Sequence, residues 1–207
     1  AAVLMGVTGP ARTDADYFPA LVATNVLGGG YSARLNEEIR IKRGLSYGAN
    51  AGLSARKQTA PIIASAQTRN DAVPQVVDLM TDEFKKLGTD PIPTDELEAR
   101  KSVLIGGFGR SVETTAGLAG QLSALAQFGL PLNKLQTYSA DVASVTAAQA
   151  QASAKALFDP AKANLVVVGD AKQFWDKTKD GAGVKDKRSG FAKMNIKQLN
   201  LDSATLK

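Results

Sequence analysis

Histidine and cysteine are both absent from this chain of 207 residues. Their absence excludes a His-x-x-Glu-His zinc site, any Cys/His metal site, a Ser-His-Asp triad and a thiol nucleophile. It also removes disulfides, and with them any reading of compartment from thiol usage. Carboxylate acid–base pairs, Lys-assisted serines and oxygen-ligand sites of the Mg type are the chemistry left to the chain alone. No apolar run approaches the roughly 20 residues that span a bilayer, so the chain reads as soluble and globular. Aromatic residues make up only 6% of it and are not interleaved with cations, as single-strand nucleic-acid binding would require. The net charge of +5 and the pI near 9.4 are therefore read as a solvated surface. Acidic residues are mixed among the basic ones even in KQFWDKTKDGAGVKDKR. The opening AAVLMGVTGP has neither an initiator Met nor a charged leader region, so no signal peptide is read in it.

What is there suffices for one domain with a substantial core. The stretch around which the rest is arranged runs from Leu27 to Leu53, LGGGYSARLNEEIRIKRGLSYGANAGL. Gly28, Gly29 and Gly30 end an apolar segment and suggest a sharp turn through positive φ. Ser32 is placed to cap a helix through Lys42, with Leu35 and Ile39 on its buried face and Gly44 as its stop. Ser46 to Leu53 reads as a strand. The helix end then delivers a guanidinium, Arg40, and the strand start a phenol, Tyr47. Taken singly, Arg40 reads as a solvated helix residue and Tyr47 as a half-buried strand residue. Their pairing at one junction suggests a site, because both donate hydrogen bonds that suit a carbonyl oxygen or a developing oxyanion. Around them Glu37 and Glu38 read as surface charges, Arg34 as either a brace of the fold or a substrate contact, and Arg43 as a helix-end cation. The glycines lack the Gly-Lys-Ser/Thr of a phosphate cradle and are read as serving a turn and close contact with a neighbouring domain. Ser54-x-x-Lys57 falls in a turn and is discounted as a nucleophile pair.

Along the chain, Ala2–Val7 reads as a strand. A helix capped by Asp14 or Asp16 follows, its apolar face formed by Phe18, Leu21, Val22 and Val26, with Pro19 tolerated in its first turn. Thr59–Thr68 returns as a strand after the polar turn SARKQT, making a hairpin with the strand that carries Tyr47. Pro61 there suggests an edge or an unpaired N–H. Val73, Val76, Val77, Met80, Phe84 and Leu87 keep the 3, 4 spacing of one helical stripe that Gly88 ends. Thr94 is placed to cap a helix burying Leu97, Leu104, Ile105 and Phe108, with Gly106–Gly109 as a flexible or kinked end. Further helices are read at Leu118–Phe128 and about Thr146–Leu157, and a compact buried strand at Asn164–Val168. Residues 172–207 read as a loop-rich tail, with Gly181–Gly183 in a loop and a further edge strand at Met194–Leu201. The order of elements argues for a single α+β domain, helices packed on a mostly antiparallel sheet.

GGGYSARL followed by EIRIKRGLSYG resembles the second, non-zinc-binding half of the insulinase/pitrilysin-type zinc peptidases, which include the mitochondrial processing peptidases. The likeness extends more loosely from TGPARTDADYF to NLVVVGD; Tyr31 stands where Phe is commoner and Ala33 where Ser is. The resemblance implies the same two-layer fold and no catalytic residue in this chain. It implies zinc in a homologous partner half, fused or separate, with Arg40 and Tyr47 reaching across to a peptide substrate lying there. It places the turn Gly28, Gly29 and Gly30 near that partner, and an exported location such as the periplasm fits the family. The other reading it allows is a structural or assembly subunit that keeps the fold without a proteolytic role.

Overall fold

A computed structural model of the chain describes residues 1–178, 181–184 and 189–193. Strands β1 (Ala2–Gly9), β2 (Ser46–Leu53), β3 (Ala60–Thr68) and β4 (Asn164–Val168) form one antiparallel sheet in the order β2-β3-β1-β4. Its inner face carries Val3, Met5 and Val7 alternating with outward residues, as a sheet buried on one side requires. Against that face lie α1 (Tyr17–Gly28), α3 (Val73–Thr89) and α7 (Ala147–Leu157). Outside α1 come α4 (Thr94–Ser111), α5 (Thr115–Phe128) and α6 (Lys134–Ala143). A short turn of helix, α2 (Arg34–Asn36), runs directly into a π-helical segment, Glu37–Ile41. The hairpin β5 (Trp175–Thr178) and β6 (Gly181–Val184) follows the main sheet. The helices-on-sheet α+β architecture expected from the sequence is the one observed.

The α3 stripe is the clearest agreement: Val73, Val76, Val77, Met80, Phe84 and Leu87 are all fully buried. Phe84 meets Phe158 edge to face, with centroids 5.3 Å apart, and anchors α3 beside α7. Thr146 and Gln149 close a reciprocal capping box at the start of α7.

Elsewhere the structure corrects local readings. Helix α1 has no single apolar face; Tyr17, Ala20, Val22, Ala23, Val26 and Leu27 are buried around it, because helices cover the side turned away from the sheet. Phe18 and Leu21 are only half-buried. Asp16 makes no side-chain cap, and Asp14 instead accepts from the Ala11 amide. Pro61 sits in an interior strand, at the second residue of β3, where only an N–H is lost. Thr94 is the first helical residue of α4 and Pro93 its cap. That helix runs through Gly106, Gly107 and Gly109 to Ser111 without ending. Helix α6, weak in periodicity, has no counterpart among the elements expected from the sequence. Strand β4 is an edge strand with Val166 and Val168 each 54% exposed, not a buried one. Gly181–Val184 is a strand where the sequence suggests a loop, while Met194–Leu201 lies outside the described residues. Among the described residues no helix is long and apolar enough to cross a membrane.

Candidate functional site

Gly28 is the point from which the site is built. A Cβ there would lie 2.1 Å from the Ala51 amide nitrogen and 2.6 Å from the Asn50 carbonyl carbon, so only glycine lets α1 end against β2. The close approach is thus made within the chain. None of Gly28, Gly29 and Gly30 has positive φ; that conformation occurs at Gly44 (φ 60°), which stops the helical segment as expected, and at Gly129 after α5.

Beyond the glycines, residues 30–33 form a loop fixed from three sides. Arg100 donates to the Ser32 carbonyl at 2.8 Å and to its hydroxyl at 2.9 Å, so Ser32 is spent on α4 and does not cap a helix. Arg34 holds Glu96 with two parallel bonds of 2.9 and 2.6 Å, the bracing role read for it. That bond to Glu96 raises the already high pKa of the guanidinium, so the brace is charged at every relevant pH. The side chain of Asn36, 3% exposed, ties two elements together. Its amide donates to the Tyr31 carbonyl at 2.6 Å, and its oxygen accepts from the Ala49 amide at 3.1 Å.

These ties bring three side chains together. The Arg40 guanidinium carbon lies 5.0 Å from the centre of the Tyr31 ring and 4.8 Å from that of Tyr47, within cation–π range of both. Tyr31 and Tyr47 are 66% and 88% exposed, so the cluster faces solvent. Arg40 has no ion-pair partner among the described residues, whereas Lys42 and Arg43 both pair with Glu38. Those interactions, led by the Lys42 bond, hold the Glu38 carboxyl below its ordinary range. Arg43 also donates to the Glu38 carbonyl at 2.9 Å, as a helix-end cation does. Tyr47 stands at the start of edge strand β2, where the register with β3 shifts between Ser46 and Ala49. The Ser46 hydroxyl fills that irregularity by donating to the Gly48 carbonyl at 2.6 Å and accepting its amide at 3.1 Å.

The pairing of Arg40 with Tyr47 is therefore a contact in the structure. Sequence reasoning missed Tyr31, seen only as a replacement for Phe, and Asn36, which carries no motif signal. It also missed the π segment, whose wider turn changes where Arg40 points relative to the buried Leu35 and Ile39. Chemically the cluster is a cation held against two phenol rings, on tyrosines exposed enough to donate to an incoming acceptor. It does not fit zinc: the chain has no imidazole or thiolate, and no metal-holding group of acidic side chains gathers among the described residues. Ser54 and Lys57 lie in the exposed turn between β2 and β3.

A family profile described as the peptidase M16 inactive domain matches residues 1–104, a span that includes every residue of the cluster. An uncharacterized zinc protease of Streptomyces coelicolor is 30% identical over 120 residues, covering 58% of this chain and 26% of that protein. The crystal structure of a peptidase M16 inactive domain from Pseudomonas fluorescens superposes with a TM-score of 0.72 at 29% identity, over 80% of this chain and 39% of that one. A chain of complex III from Candida albicans has the same fold at 12% identity, with a TM-score of 0.72 over 84% of this chain and 44% of that one. The chain thus spans about a quarter of its curated relative and about two-fifths of the first solved structure.

Proposed function

The chain belongs to the peptidase M16 inactive-domain family, and from that premise we propose that it is the non-catalytic half of a two-part zinc peptidase. It closes one wall of the substrate chamber. Arg40 and Tyr47 donate to a carbonyl or oxyanion of the peptide held in the zinc-bearing half, which is fused to it or separate. The observation that carries this reading is the half-buried Arg40 guanidinium held against two exposed tyrosine rings, with no ion-pair partner among the described residues. A donor already held in place costs little reorganisation when charge develops on the substrate. Tyr31 completes the clamp as a positioning residue, and exposed Gly30 beside it sits where the partner half approaches.

The test is reconstitution with the zinc-bearing half while cleavage of an unstructured peptide is followed. Activity is expected only with both halves present. Arg40→Ala or Tyr47→Phe is expected to lower kcat of the assembled enzyme by about 10²–10³, with Arg40→Lys restoring part of it. Tyr31→Phe, which keeps the ring, should act like the native chain, while Tyr31→Leu should lose turnover. If the zinc half is fully active alone and indifferent to addition, the proposal fails. The reading as a structural or assembly subunit, which the fold likeness to a complex III chain favours, then takes its place. One equivalent of tightly bound zinc on the isolated chain, with chelator-sensitive proteolysis, would also overturn it.

A further inference from the structure

A second concavity, lined by none of Tyr31, Arg40 and Tyr47, lies between α1 and the outer helices α4, α5 and α6. Its volume is about 450 Å³, within the range of small-molecule sites. Three cations reach its wall, Arg12, Arg110 and Lys134, and no carboxylate lines it. Lys134 is paired with Asp141 at 3.3 Å, but Arg12 and Arg110 have no ion-pair partner among the described residues. Arg12 is half-buried and Arg110 exposed, and an unpaired guanidinium at a partly desolvated wall favours an anion.

Four aromatic side chains, Tyr17, Phe108, Phe128 and Tyr138, line part of the wall beside aliphatic and polar residues. Phe108 and Tyr138 stack with centroids 4.1 Å apart and planes 20° from parallel, and Arg12 lies 4.5 Å from the centre of the Tyr17 ring. Burial raises the pKa of both tyrosines, Tyr138 to about 12, so each phenol keeps its proton and can donate. Neither hydroxyl has a hydrogen-bond partner among the described residues. Gly107 lines the cavity without a side chain to occupy it. It stands inside α4, where glycine costs about 1 kcal/mol relative to alanine. A Cβ there would meet nothing nearer than Arg110 Nη2 at 3.9 Å.

We infer that this cavity binds a small aromatic carboxylate, with its ring against Phe108 and Tyr138 and its carboxylate toward Arg12 and Arg110. A free arylalkanoic acid and the C-terminal residue of a short peptide share that chemistry. The probes that separate them are 3-phenylpropionate and the dipeptide Gly-Phe, with 3-phenylpropionamide as the uncharged control. Calorimetric or NMR titration of the intact chain is expected to give saturable binding of at least one acid, with Kd on the order of 10⁻⁴ M. The tighter of the two identifies the source. The amide should bind at least about tenfold more weakly, because it offers the guanidinium groups no charged acceptor. Gly107→Leu should abolish binding by filling the space while leaving the melting temperature unchanged or higher, because leucine favours the helix. Arg12→Gln, which alters no helix, should weaken the acids about tenfold and leave the amide unaffected. Absence of saturable binding by either acid up to 10 times that Kd would overturn the inference. So would equal affinity for the amide, or native affinity in folded Gly107→Leu or Arg12→Gln.

Discussion

A single methyl group decides whether α1 can end against β2. At position 28 it would meet the Ala51 amide nitrogen at 2.1 Å, and backbone cannot step aside as a flexible side chain can. Gly28→Ala is therefore expected to destabilise the chain by about 3 kcal/mol or more. Gly44→Ala, strained by φ rather than by a neighbour, should cost about 1–2 kcal/mol. Gly30→Ala, exposed and 3.6 Å from its nearest neighbour, should fall within about 0.5 kcal/mol of the native chain. Urea denaturation of the three variants checks the order, and similar midpoints for all would refute it. That glycine matters here was legible in the sequence, but its cause was not. Three glycines in a row look like a turn, whereas the constraint is a tertiary contact with a strand more than 20 residues away. The same holds for Arg40 and Tyr47, named from the sequence as a pair. Tyr31, whose ring lies 5.0 Å from the same guanidinium, shows itself only once the loop is folded.

Elements were legible where one periodicity had one face to bury. The six-residue stripe of α3 meets the sheet on one side and is read without error. Helix α1 was legible as a helix but not in its face, because residues around several sides of it are buried, and α6 mixes too few apolar residues among polar ones to stand out from a loop. Strand β4 misled in the opposite way: a valine run suggests burial on both faces, yet it pairs on one edge only and leaves alternate valines exposed. The junction of α2 with the π segment carries no periodicity to read, and beside it Asn36 ties the preceding loop to β2 from within. Asn36→Ala would strand a carbonyl and an amide at Tyr31 and Ala49, costing about 2–4 kcal/mol. Amide exchange should accelerate at Ala49 more than in β1, and unchanged protection there would show that the strand start is held by other means.

The whole molecule is a sheet covered on one side by two layers of helices, and its response to pH follows from what those layers exclude. Tyr138, between α1, α4 and α6, has its pKa pushed up to about 12 by burial, against about 10 in an unfolded chain. The folded state favours the protonated phenol, so stability present below about pH 10 is lost as the pH rises from there toward about 12. Tyr138→Phe should flatten that alkaline limb, read as the fall in melting temperature between pH 9 and pH 11. An equal fall in the variant would assign the loss to other groups. The M16 inactive-domain fold was legible at this scale from one motif, while the cavity beneath α4 was not, because its walls come from five separated segments. Arg40, gripped by rings instead of carboxylates, has a further consequence at the surface. No carboxylate among the described residues pairs with it, and its field reaches into solvent over a Debye length, about 8 Å at physiological ionic strength. On the proposed reading, a peptide that carries negative charge should associate faster than a neutral one, with added salt slowing association more than dissociation.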